Sequence, residues 1–143
     1  MIKSVAMIVV PNFSIFEFAT AFEVFGIDRS DRGNGVPAFD FRVCAPVPGD
    51  VPLKSGLSMH VGFGLEAAAD ADLVVMAPYG REEDVPESVL AALRAAHGRG
   101  AWVMSICSGA FALARAGLLD GRRCTTHWHY SQELASRYPA VRV

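Results

Sequence analysis

Apolar residues fall in this chain into two kinds of pattern, short continuous runs and runs spaced as on one face of a helix. Residues 5–10 form a continuous, β-branched-rich run closed by Pro11-Asn12, which predicts a buried central strand. From Ser14 the spacing turns helical, with Phe18, Phe22 and Phe25 on one face and Gly26 as the stop. Residues 28–37 are polar and glycine-containing and predict a surface loop. Residues 39–45 alternate as a strand does, residues 46–50 are a turn cluster, and residues 57–61 suit a short strand or half of a hairpin. Residues 73–77 are another apolar run. Pro86 then opens a helix to about His97, with Val89, Leu90 and Leu93 on its inner face. Residues 102–106 are the third core strand and 108–116 the helix after it. A brief strand over 123–126, a helix over 131–138 and the first residues of a strand at 141–143 complete the prediction. Strands separated by crossover helices predict an α/β domain with a mostly parallel sheet.

Composition narrows this without adding a partner. The chain has 143 residues, 52% hydrophobic and 20% charged, which describes one folded domain. A net charge of −2 leaves no electrostatic footprint for nucleic acid or an anionic membrane. The first apolar run is too short to span a bilayer. Three cysteines, Cys44, Cys107 and Cys124, lack the spacing of a disulfide framework and suit a reducing, cytoplasmic setting.

The corner after the third core strand carries the chemistry. The apolar run ends at Cys107, and Ser105 and Gly109 flank it two residues to either side. This is the spacing of a nucleophile elbow, with cysteine in place of serine. An activated thiol at a helix N-terminus and an ordinary buried cysteine both fit the string. The first reading predicts a thiolate that forms below the usual cysteine pKa and is selectively oxidised by peroxide to sulfinic acid.

Glu17 follows the first strand and belongs to the same sheet edge, where it can handle a proton for Cys107 or stabilise its oxidised form. Ser14-x-x-Glu17 is equally a capping box, with Glu17 reaching back to a backbone N–H. His127 can serve Cys107 as base or orienting partner, or be a structural histidine. Cys124, His127 and His129 match no common zinc spacing, so no metal is expected. No glycine fingerprint suggests a nucleotide, and no cofactor is expected. The loop Ala77-Pro-Tyr-Gly80 can offer N–H groups to an anion, but Pro78 removes one donor. Ser108, Tyr79, Gly80, Ile15 and Trp128 are the expected pocket around these groups.

The stretch Ile106-Cys-Ser-Gly-Ala-Phe-Ala-Leu-Ala-Arg-Ala-Gly-Leu-Leu-Asp-Gly-Arg-Arg-Cys-Thr-Thr-His-Trp128 resembles the signature of the ThiJ/PfpI superfamily, relatives of the class I glutamine amidotransferases. Its tail and Phe16-Glu-Phe-Ala-Thr-Ala-Phe-Glu-Val-Phe25 are most similar to the N-terminal domain of AraC-family transcriptional regulators. The resemblance implies a flavodoxin-like three-layer sandwich, an elbow cysteine at Cys107, an acid at Glu17 and a histidine at His127. Its usual Pro-Gly-Gly or Pro-Gly-Trp loop is unmatched. The family's last elements and the regulators' helix-turn-helix domain are expected beyond Val143, so this chain reads as C-terminally truncated.

Two functions follow from the resemblance. One is a ligand- or redox-sensing domain of an AraC-like regulator, binding a small molecule or oxidant, working as a homodimer, and reaching DNA only through a helix-turn-helix domain absent from this chain. The other is a cysteine-dependent hydrolase, isocyanide hydratase-like or glyoxalase-like enzyme. The broken anion loop favours the first.

Overall fold

A computed structural model describes residues 1–33, 35–80 and 85–143, so Asn34 of the expected surface loop lies outside the described residues. Its strands are β1 (Ser4–Ile8), β2 (Asp40–Cys44), β3 (Gly49–Pro52), β4 (Ser58–Val61), β5 (Leu73–Met76) and β6 (Trp102–Ser105). The helices are α1 (Ile15–Ala21), α2 (Glu87–Gly98), α3 (Ala110–Arg115) and α4 (Ser131–Arg137). Four strands make a wholly parallel sheet in the order β2-β1-β5-β6, and β3 and β4 pair apart from it as an antiparallel hairpin.

Alternation along the central strands builds two cores. Val5, Met7 and Val9 of the β1 segment pack on one face with Phe18 and Ala21 of α1 and with Val51, Leu53 and Val61 of the hairpin. Ala6, Ile8 and Val10 face the other side, against Val89, Leu90 and Leu93 of α2, Phe111 of α3 and Leu134 of α4. A parallel sheet must be covered on both faces, so its strands read as continuous apolar runs. The result is the three-layer α/β sandwich of a flavodoxin-like fold.

Three local expectations are corrected. The helix after β1 keeps α geometry only to Ala21 and then widens into a π turn over Phe22–Gly26. The expected turn at 46–50 instead runs into β3, because Val51 and Leu53 have the hairpin's apolar side to fill. The expected strand at 123–126 shrinks to one bridge between Arg123 and Arg142, which also accounts for the strand-like end of the chain. Arg122-Arg-Cys-Thr-Thr offers no apolar run to a sheet, and a few backbone bonds such as Cys124 N–H to Arg142 O at 3.0 Å hold it instead.

The register aligns the strand ends. Ile8 pairs with Cys44 and Met76, and Met76 with Ser105, so the segments after β1, β5 and β6 leave the sheet along one edge. In open α/β sheets this carboxyl edge is where ligands bind.

Candidate functional site

The elbow is built by backbone geometry. Ile106 is extended, Cys107 turns left-handed at φ 53°, and a 3-10 turn over Cys107–Gly109 leads into α3. A side chain at such a φ costs roughly 1–2 kcal/mol, so the surroundings must hold it there. They do so at three points. Gly109 N–H donates to Ile106 O at 2.9 Å. The buried Ser108 hydroxyl donates to Tyr79 O at 3.1 Å, and Thr126 Oγ1 donates to Cys107 O at 2.8 Å. Gly109 lies so close to the end of β5 that an added Cβ would stand 2.6 Å from Met76 O. The small residue expected two positions past the cysteine is thus a steric requirement.

Glu17 meets the elbow from α1. Its carboxylate accepts a hydrogen bond from the Ser14 hydroxyl and lines the same cavity as the Cys107 thiol. The Ser14 side chain makes no bond to a helix N–H, so the expected capping box is replaced by a contact between side chains. Burial acts to raise the Glu17 pKa. The donors Ser14 and Glu17's own N–H, with the neighbouring Cys107 and the charge of His127, outweigh it and hold the carboxyl below its ordinary value.

Cys107 moves the opposite way. Burial pushes the thiol up, and the neighbouring Glu17 carboxylate adds to this. The Ser108 N–H draws it only part of the way back. This overturns the expected low-pKa thiolate, because a short 3-10 start and a six-residue helix do not offset burial and an adjacent carboxylate.

His127 is held from the far side of the elbow by Thr126. Its Nδ1 accepts the His129 N–H at 3.3 Å, so the neutral ring carries its proton on Nε2. In that tautomer the other ring nitrogen presents an N–H.

These groups surround a cavity of 190 Å³ lined by Ser14, Glu17, Lys54, Pro78, Tyr79, Cys107, Ser108, His127 and Tyr130. Cys107, Glu17, His127, Ser108 and Tyr79 are therefore brought together. Gly80 is outside the lining, as are Ile15 and Trp128, which are 53% and 80% exposed. Ser14, Lys54 and Tyr130 join the site without having been singled out for it; Tyr130 lies beside the Thr-Thr-His string, but Lys54 carries no motif. A larger hollow of 610 Å³ lies at the opposite end of the strands, around Asp72 and Trp102, away from all of these groups.

A flavodoxin-like sandwich with a left-handed cysteine at its carboxyl edge defines the class. The chain belongs to the DJ-1/PfpI family, whose model matches residues 3–141. An uncharacterised protein from the cpoL 5' region of Streptomyces lividans is 37% identical over 105 residues, covering 71% of this chain and 74% of that protein. The HTH-type transcriptional regulator GlxA of Rhizobium meliloti is 30% identical over 140 residues, covering 96% of this chain. The chain spans 43% of that regulator's length. A crystal structure of an AraC family transcriptional regulator from Pseudomonas putida superposes with a TM-score of 0.80 at 24% identity, over 98% of this chain and 75% of that one. No helix among the described residues is long and apolar enough to cross a membrane.

Proposed function

We propose that this chain is the sensing domain of an AraC-like transcriptional regulator, with the Cys107 cavity as its receptor site. The observation that carries the reading is the similarity to GlxA over 96% of the chain. The site chemistry supports it. A thiol held protonated beside a carboxylate, with a histidine whose tautomer donates, is poorly prepared for repeated nucleophilic attack. The same cavity is small, polar and reached from the carboxyl edge, which suits reversible capture of a small molecule or reaction with an oxidant. Signalling would pass through a homodimer to a helix-turn-helix domain outside this sequence.

The test sets binding against turnover. The purified chain is screened by thermal shift with small carboxylates, amines and hydrogen peroxide, while methylglyoxal and an isonitrile are assayed for consumption. A shift in melting temperature that disappears on blocking Cys107 or replacing Glu17, without consumption of either substrate, is the expected result. Cys107-dependent multiple turnover would replace this reading with the enzymatic one.

A further inference from the structure

The cavity has one wall whose charge the elbow does not use. Lys54 stands in the 3-10 turn Lys54–Gly56 between β3 and β4, and the residue before it is anchored beside the start of α1. Asn12 N–H donates to Pro52 O at 2.8 Å, and Phe13 forms a parallel bridge with the buried Leu53. One residue further along each segment, Ser14 and Lys54 both line the cavity. The turn is closed by Leu53 N–H to Leu57 O at 2.8 Å, which fixes where the lysine emerges.

Lys54 has no hydrogen-bond or ion-pair partner among the described residues. Glu17, the one carboxylate among the described lining residues, accepts from Ser14, and Lys54 is not among the groups that act on it. A cation and a donating His127 therefore remain for a guest. We infer that the Cys107 cavity selects a small carboxylate, with Lys54 as the residue that sets this specificity. Two features point to a monoanion. The volume of 190 Å³ suits a few heavy atoms, and among the described lining residues a dianion would meet Glu17 with a single lysine to balance it. The inference rests on the Cys107 cavity being the receptor site, and its test reads the cavity's charge selection whether or not the domain regulates anything.

The probes are iodoacetate and iodoacetamide, which alkylate the same thiolate and differ in charge. The ratio of their rates at Cys107, followed by peptide mass spectrometry on the intact chain, cancels the thiolate fraction. Lys54→Met is expected to lower the iodoacetate-to-iodoacetamide ratio about fivefold at low salt, Lys54→Glu to lower it further, and Lys54→Arg to preserve it. An unchanged iodoacetamide rate shows that the site is still folded. In the unaltered chain the ratio is expected to fall as salt is added; this arm needs no variant to fold. A ratio indifferent to Lys54→Met, or one that rises with salt because Glu17 repulsion dominates, overturns the inference.

Discussion

The Cys107 thiol shares one cavity with the Glu17 carboxylate, and each group moves the other's pKa so that the proton stays on sulfur. Replacing Glu17 by glutamine removes the negative charge while keeping an acceptor near the thiol. The Glu17→Gln variant is therefore expected to alkylate at Cys107 about threefold faster or more at neutral pH, because the thiol loses one of the influences that raise its pKa. Peroxide oxidation of Cys107 should accelerate in parallel, because it also proceeds through the thiolate. Rates from iodoacetamide labelling and from mass spectrometry of the sulfinic acid check both. Equal rates in the two proteins would mean that burial alone sets this thiol.

Cys44 is fully buried in the core beneath the sheet edge, and its pKa is pushed up from the ordinary 9.0 to about 12 by burial and then by the charge of Glu66. A raised thiol pKa stabilises the folded state below the unfolded value, and that stability is lost as pH rises through the folded value. Between pH 9 and 12 the unfolded chain has released this proton and the folded one has not. The protein is expected to lose about 3 kcal/mol between pH 8 and pH 11 through this residue. Urea unfolding at the two pH values, compared with Cys44→Ala, isolates the effect. The substituted protein should start slightly less stable and show a flatter alkaline slope; identical slopes would sink the assignment.

The parts legible in the sequence are those written in local pattern. β1, β5 and β6 are continuous apolar runs because both faces of a parallel sheet are covered, and Ser105-x-Cys107-x-Gly109 announces the elbow because the corner tolerates little bulk beyond the cysteine. What depends on distant packing is not legible. Gly49 and Asp50 read as turn residues, yet Val51 and Leu53 make β3 a strand by filling an apolar face. Lys54 reaches the site only because Leu53 bridges Phe13, a pairing that no spacing encodes. The direction of the Cys107 shift belongs to the same class. A helix start near a cysteine and an acid at the same sheet edge are visible in sequence, whereas the burial that does most to raise this thiol appears only in the folded chain.

The left-handed backbone at Cys107 makes a prediction separate from its chemistry. At φ 53° any side chain is strained, and glycine is not. Cys107→Gly is therefore expected to be more stable than Cys107→Ala by about 1 kcal/mol, although in an ordinary extended or helical position glycine would be the weaker of the two. Both variants lack the thiol, so their difference reads the backbone alone. Chemical denaturation of the pair decides it, and an alanine variant at least as stable as the glycine one would show that the elbow is unstrained.

Gly109 supplies the complementary test, since its own backbone is ordinary at φ −57° and only space is at issue. An alanine there would normally stabilise a helix start by reducing the freedom of the unfolded chain. Here its Cβ would stand 2.6 Å from Met76 O and 3.1 Å from Ala77 O, two backbone atoms that cannot swing aside as a side chain can. Relief requires the elbow to lift away from β5. That movement would stretch the Ser108 bond to Tyr79 O and the Thr126 bond to Cys107 O together. Gly109→Ala is expected to cost about 2–3 kcal/mol in urea unfolding and to loosen the site, so that iodoacetamide labelling of Cys107 changes with it. Alanine accepted without loss of stability, and with an unaltered labelling rate, would mean that the close approach of elbow and strand does not hold in solution.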